Sequence, residues 1–301
     1  MLSADVVAQV VWTSIASSSY QVLLTLAFAL VLKVLKIWNF TQPALMAAAF
    51  YAMYTANMRW GLPIVFGVVL SGILVSALAA GIERFAFRTL RERQSESIAY
   101  FIFTLIFASF VTFLLSIVFT TQPLFMVPSM MSPMRLVGGV VVSNWDIVSL
   151  AIAGVLAIAL WLFLRFTRQG QFVIAVSDNP GLAEIYGVDR KRIYLLTMLI
   201  AGVLITAATY IFGTKLTLYP SLPTLLMIHA IAATILGGSS IFAAALAAVG
   251  ISVLQQVSVL VVEARWQPLV VFAILFLAIV CFPKGVRWPR RRLTRLAEDA
   301  R

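Results

Sequence analysis

Nine apolar stretches, each near the length that crosses a bilayer, follow one another through 301 residues. A hydrocarbon core about 30 Å thick takes about 20 apolar residues at 1.5 Å per residue. By that template the runs fall at roughly 12–32, 40–58, 62–82, 98–119, 146–165, 193–213, 223–237, 241–262 and 267–282. Composition agrees: 62% of residues are apolar, against about 45–50% in a soluble domain, only 11% are charged, and the mean hydropathy is +1.03. The expected fold is an all-α polytopic membrane protein of eight to nine transmembrane spans, one or two of them broken or re-entrant. Residues 1–285 form its membrane domain and 286–301 a basic tail. The N-terminus lacks a basic leader and runs directly into a full-length span, so it does not read as a signal peptide.

The net charge of +11 could suggest nucleic acid. The basic residues lie between the apolar runs, however, where cytoplasmic loops carry them. With the C-terminus inside and nine spans, 18 of the 22 Lys and Arg fall on the cytoplasmic side, leaving Arg59, Arg135, Lys215 and Arg265 outside. The expected orientation is N-terminus outside and C-terminus cytoplasmic, with membrane lipid as a partner and no nucleic acid.

Charge placement narrows the chemistry. All eleven carboxylates fall by sequence in loops, tails or the end turns of spans, whereas ion-coupled carriers place an ionisable group near the midplane. No G-x-x-x-x-G-K-[ST] run is present to cradle a nucleotide. The one histidine, His229, forbids H-E-x-x-H chemistry, and the one cysteine, Cys281, excludes a disulfide framework or a cysteine-rich metal site. The chain reads as non-catalytic, with no catalytic residue, metal or cofactor of its own.

Two spans depart from plain helices. From Pro223 to Gly237 there are only 15 residues between a proline pair and Gly237-Gly238. The second span opens Asn39-Phe40-Thr41-Gln42-Pro43, so Pro43 either starts an ordinary helix or marks a broken one. Broken helices mark transport paths, which makes Asn39, Gln42, Thr224, His229, Thr234 and Gln255 the candidate path residues. Thr224 and Thr234 share a face only loosely, and His229 lies about 140° from either. His229 therefore serves either as a helix-to-helix hydrogen-bonding group or as a solute contact. Gln255 and Gln256 point about 100° apart, so one is expected to face a lumen while the other bonds across helices.

The loop 166–192 carries helix punctuation: Asp178 or Asn179 as N-cap, Pro180 at the first helical position and Gly187 past the end. A helix over 180–186 puts Leu182, Ile185 and Tyr186 on one face. That face suits either a partner's groove or the bilayer surface.

Thr167-Arg168-Gln169-Gly170, Ala175-Val176-Ser177-Asp178-Asn179-Pro180, Ala183 and Tyr186-Gly187-Val188 resemble the coupling segment of permeases in the branched-chain amino-acid ABC transporter family. Asn39-Phe40 resembles that family's N-F motif, Glu83-Arg84-Phe85-Ala86-Phe87-Arg88 its E-R-x-A-[YF]-R motif, and Ala233 to Gly238 its A-x-L-G-G motif. The resemblance implies a second, related permease, two cytoplasmic ATP-binding subunits that hold the ATP and magnesium, and a periplasmic solute-binding protein, all at a bacterial inner membrane. It implies ATPase contact at Asn179, Pro180, Gly181, Leu182, Ala183, Glu184, Ile185, Tyr186 and Gly187, with Arg190, Lys191 and Arg192 beside them, although basic residues there also suit lipid headgroups.

The chain departs from the family where Thr41-Gln42-Pro43 replaces a small-His-Gly run and where Ser239-Ser240-Ile241-Phe242-Ala243 replaces a glycine-rich continuation. Those departures leave the substrate open among branched-chain amino acids, urea, amides and small organic acids. The expectation is the permease subunit of a binding-protein-dependent ABC importer. A stand-alone channel or facilitator is the alternative.

Overall fold

The computed structural model describes residues 4–126, 134–238 and 240–258, with isolated positions between Leu260 and Val280. Most of the ninth expected span, 267–282, and the tail 286–301 lie outside the described residues.

The described chain is a helical bundle with one small hairpin. Its elements are α1 (Ala4–Leu35), α2 (Thr41–Tyr54), α3 (Ile64–Gly81), α4 (Arg88–Glu92), α5 (Ser97–Phe119), β1 (Met134–Val137), β2 (Val140–Ser143), α6 (Asn144–Phe166), α7 (Arg168–Asp178), α8 (Pro180–Ile185), α9 (Arg190–Lys215), α10 (Leu222–Gly237) and α11 (Ile241–Ser258). Among the described residues, six helices are long and apolar enough to cross a membrane: Asp5–Leu35, Ile64–Glu92, Ser97–Phe119, Asn144–Phe166, Arg190–Lys215 and Ile241–Ser258. Two more are shorter, α10 with 16 residues and α2 with 14. A π-helical turn, Thr55–Arg59, prolongs α2.

Helix α1 is the axis of the bundle, packed against α6, α7, α9, α10 and α11. Its interior position lets it carry hydroxyls and an amide that lipid would reject: Ser14, Ser18, Ser19, Gln21 and Thr25 are all buried. The serines and Thr13 return their hydroxyls to carbonyls three or four residues back, as at Ser14 to Val10 (2.6 Å) and Ser19 to Ala16 (2.7 Å). Helix α5 is the opposite case. Only 6% of its most apolar window is buried, against 72% for α1.

Small residues set the closest helix approaches, because without a hydrophobic driving force in lipid, helices associate through tight packing. A Cβ on Gly170 would stand 2.0 Å from the Phe163 carbonyl oxygen, and one on Gly237 would stand 2.2 Å from the Ala244 nitrogen. Gly170 thus lets α7 fold back on the end of α6, and Gly237 lets the first turn of α11 pack directly on the end of α10. Gly238 follows with φ +59, a conformation that favours glycine. The A-x-L-G-G motif is therefore a packing and turning device.

Three features differ from the sequence expectations. The third span does not stop at residue 82: it continues through a π-helical turn, Ile82–Phe87, into α4. Glu83, assigned to a loop, is consequently buried on this helix and paired with Arg91. Residues 168–178, read as connecting loop, form a three-turn helix whose Val173 and Val176 pack inward. Finally, β1 and β2 pair antiparallel, from Met134 opposite Ser143 to Val137 opposite Val140, around Gly138-Gly139. The signal for that hairpin was a β-branched run beside a Gly-Gly turn.

Candidate functional site

The bundle has two ends. One is marked by the close of α1, by α8 and by the α10–α11 turn, and the other by the β-hairpin. At the α8 end the chain turns back at Lys36 (φ +60) and re-enters the bundle before α2 starts. Three contacts give the depth of that start. Gln42 Nε2 donates to the Ala27 carbonyl (3.4 Å), Asn39 Nδ2 sits 3.8 Å from Met198 Sδ, and Thr104 Oγ1 donates to the Trp38 carbonyl (3.4 Å). Each partner lies seven or eight residues inside its own helix end, about 10–12 Å at 1.5 Å per residue. Helix α2 therefore begins inside the bundle, with Asn39, Thr41 and Gln42 at most 1% exposed.

A buried helix start must satisfy its free N–H groups. Asn39 Oδ1 accepts from the Thr41 amide (3.0 Å) and from Thr41 Oγ1 (2.6 Å). Pro43 has no N–H to satisfy. Phe40 locks the turn edge-on against Phe101, 5.4 Å between ring centres. The N-F-T-Q-P run is thus a solution for starting a helix away from water, and Gln42 Oε1 is left buried without a partner.

Pro43 and Phe40 also line a groove of about 360 Å³ between α2, α5 and the start of α10. Thr224 opens into it, facing Ser109, Thr112 and Ser116 of α5. Those hydroxyls recur at i, i+3 and i+7, so they form one stripe on a largely apolar helix. The spacing was legible in the sequence, yet single hydroxyls in apolar spans are common enough that it carried no signal until the groove showed what they face.

The remaining path candidates are dispersed. Thr234 is buried, donates to the Ala230 carbonyl (2.7 Å), and lines a cavity of about 420 Å³ at the α8 end with Lys33, Lys36, Asp178 and Ser240. His229 is 7% exposed between these two openings and lines neither. The carbonyls of Leu225 and Leu226 lie within its reach, but neither ring nitrogen is in a well-formed hydrogen bond. Gln255 lies near the hairpin end, where its Oε1 accepts from Gln21 Nε2 (3.3 Å), while Gln256 donates to Ser17 Oγ (3.2 Å). Both line one cavity, contrary to the expectation that only one would, because both reach the same face of α1, at Gln21 and Ser17.

The segment after α6 builds the second candidate surface. Thr167 caps α7 by accepting from the Gly170 amide (2.9 Å), and Asn179, rather than Asp178, caps α8 by accepting from the Leu182 amide (3.0 Å). Pro180 occupies the first helical position. Helix α8 ends in paired bonds, Val188 N–H to the Ala183 carbonyl (3.0 Å) and Gly187 N–H to the Glu184 carbonyl (2.9 Å), with Gly187 at φ +81. Ala183 and Val188 are buried and fasten the helix to the bundle. Gly181 and Glu184 face outward, while Leu182, Ile185 and Tyr186, at 50%, 82% and 80% exposure, form an uncovered apolar face.

Ion pairs brace this surface. Arg190 pairs with Glu184, Arg192 with Asp189 (3.0 Å), and Lys191 with Glu92 (3.2 Å), which also holds Arg88 (2.9 Å). Arg91 pairs with the buried Glu83 and lies 4.3 Å over the Tyr194 ring. The E-R-x-A-[YF]-R motif thus links the α3–α4 extension to α9 beside α8. The pairs of Glu184, Asp189 and Glu92 are exposed, where side-chain entropy and salt screening leave little net stabilisation, so their role is chiefly geometric.

Comparison with known proteins follows the same lines. Residues 10–279 match the family described as branched-chain amino acid transport system / permease component. The high-affinity branched-chain amino acid transport system permease protein LivH of Salmonella typhimurium is 25% identical over 131 residues, 43% of this chain and 42% of that protein. LivH of Escherichia coli K12 is 24% identical over the same length. The aligned stretch thus spans less than half the length of these relatives. Among solved structures, PsaBC from Streptococcus pneumoniae in complex with Fab superimposes with a TM-score of 0.51 at 12% identity, covering 94% of this chain and 93% of that one, a likeness of fold alone. With nine-tenths of its length matched, the chain belongs to the family described as branched-chain amino acid transport system / permease component.

Proposed function

We propose that this chain is the membrane-spanning subunit of a binding-protein-dependent ABC importer in a bacterial inner membrane. It has eight or nine spans, its N-terminus outside and its C-terminus cytoplasmic. It pairs with a second, related permease, takes branched-chain amino acids or related small polar organic solutes from a periplasmic binding protein, and carries no catalytic residue. ATP and magnesium are held by two cytoplasmic ATP-binding subunits.

The observation that carries this reading is α8. A six-residue helix capped at both ends and fastened by Ala183 and Val188, with Leu182, Ile185 and Tyr186 outward, is a rigid knob suited to a groove in a partner. Its base, α7, packs against α1, α6 and α9, so a push on α8 reaches the axis of the bundle directly. The solute path runs along the hydroxyl-lined groove of α2, α5 and α10, with Asn39 and Gln42 supporting the buried start of α2. The second permease covers α5.

Affinity purification of the chain from its native host in mild detergent tests the assembly. Recovery of two ATP-binding proteins and a second permease is expected. Recovery of the chain alone, still conducting solute in liposomes, overturns the importer in favour of a facilitator. Glu184→Arg, which turns the Arg190 pair into a repulsion beside the apolar knob, is expected to release the ATPases while membrane insertion stays intact.

A further inference from the structure

One face of α1 breaks the rule for a helix at the centre of a bundle. Positions i, i+3, i+4, i+7 and i+8, ordinarily the apolar stripe, are Thr13, Ala16, Ser17, Tyr20 and Gln21. Besides touching α9 and α11, they border a cavity of about 330 Å³ whose other walls come from α6, α9 and α11. Across it stand Gln255 and Gln256, and at its rim Asp146, in the first turn of α6, pairs with Lys215, in the last turn of α9. The rim pair is itself positioned, since Asp146 Oδ2 accepts from Trp12 Nε1 (3.2 Å) and from the Ser143 amide (3.3 Å).

Polar side chains that merely join helices satisfy one another, as Gln256 and Ser17 do here. Gln21 does not. Gln21 is 5% exposed and lines the cavity, and its Oε1, enclosed beside that space, has no hydrogen-bond partner. Its Nε2 contacts are long, 3.3 Å to Gln255 Oε1 and 3.4 Å to the Tyr20 hydroxyl. The cavity thus offers a cation and an anion at the rim and carboxamides within, in a volume at the lower end of small-molecule sites.

We propose that this cavity is a binding site for a small zwitterion. The carboxylate of the ligand meets the Lys215 ammonium, and its ammonium meets Asp146 and, once the weakly held Gln21 carboxamide turns toward the cavity, the Gln21 oxygen, so the ligand inserts into the Lys215–Asp146 pair and divides it. The site lies inside one chain's own bundle, apart from the α2–α5–α10 groove. Its ligand class rests on the solute-import reading above, while its location does not.

The test is equilibrium binding to the full-length chain in lipid nanodiscs, without binding protein, using radiolabelled L-leucine competed by the other proteinogenic L-amino acids, by 3-methylbutylamine and by 4-methylpentanoate. Saturable binding is expected that amino acids displace and neither half-charged analogue does. Gln21→Met and Lys215→Gln are each expected to weaken it at least tenfold, with Gln21→Asn recovering part of the loss. Chromatographic monodispersity and an unchanged Tm establish that the variants fold, and Ser17→Ala provides a milder lesion of the same wall. Absence of zwitterion binding to the native chain, displacement by the amine or the acid alone, or unchanged affinity in Gln21→Met and Ser17→Ala overturns the site. Because uptake by the complete importer is measured separately, loss of the site with intact ATP-dependent uptake leaves the import reading standing.

Discussion

At α2 and at α8 an asparagine just ahead of the helix accepts from an amide of its first turn, and the two do so in opposite surroundings. Asn39 prepares α2 some 10–12 Å inside the bundle, where every polar group of the start is enclosed by protein. Asn179 caps α8 at the surface, with water available to any group it leaves free. The same side-chain chemistry is thus a folding requirement in one place and a local trim in the other. A capping bond contributes about 1 kcal/mol at an exposed helix, whereas removing the acceptor from a buried start leaves donors whose desolvation costs about 1–3 kcal/mol each.

That contrast can be broken in graded steps. The largest effect belongs to Asn39→Ala, which strands both the Thr41 amide and its hydroxyl. A loss of about 2–4 kcal/mol is expected, read as a lowered midpoint in detergent-denaturant titration and reduced yield of folded protein. Gly170→Ala comes next: its methyl must displace the Phe163 carbonyl, at a cost of about 1–3 kcal/mol. Its signature is protease sensitivity confined to 166–190. Asn179→Ala should cost about 1 kcal/mol, frayed at α8 alone and visible as faster amide exchange at Leu182 and Ala183. Ile185→Asp sits at the bottom of the stability scale, within about 0.5 kcal/mol of the parent, because its side chain touches little. It is nevertheless expected to abolish co-purification of ATP-binding subunits. If Asn39→Ala proves as mild as Asn179→Ala, the buried start of α2 is wrong.

A second contrast, between α1 and α5, explains what hydropathy could not decide. The less apolar helix is the buried one: mean hydropathy is 1.8 in the most apolar window of α1 and 2.6 in that of α5. In lipid, the outside is the place for purely apolar side chains, and polar groups survive only where other helices enclose them. The hydroxyls and amides of α1 were visible in the sequence, but their common face mattered only once α6, α9 and α11 were packed around it.

Much of the local architecture was legible because it depends on neighbours in the chain. Apolar length located the six long helices, and Asn179, Pro180 and Gly187 delimited α8, since caps and turns are set by residues within a few positions of one another. The motifs around 39, 83, 167–188 and 233–238 pointed to the family for the same reason. Tertiary structure decided the rest. It extended α3 past Glu83 because Arg91 and Tyr194 were there to receive the carboxylate and its partner. It brought Thr224 to Ser109, Thr112 and Ser116 across more than a hundred residues, and sent Thr234 and Gln255 to separate cavities. Helix formation is a matter of periodicity and capping along the chain, but which polar groups meet depends on how helices close on one another, and that is fixed by packing between segments distant in sequence.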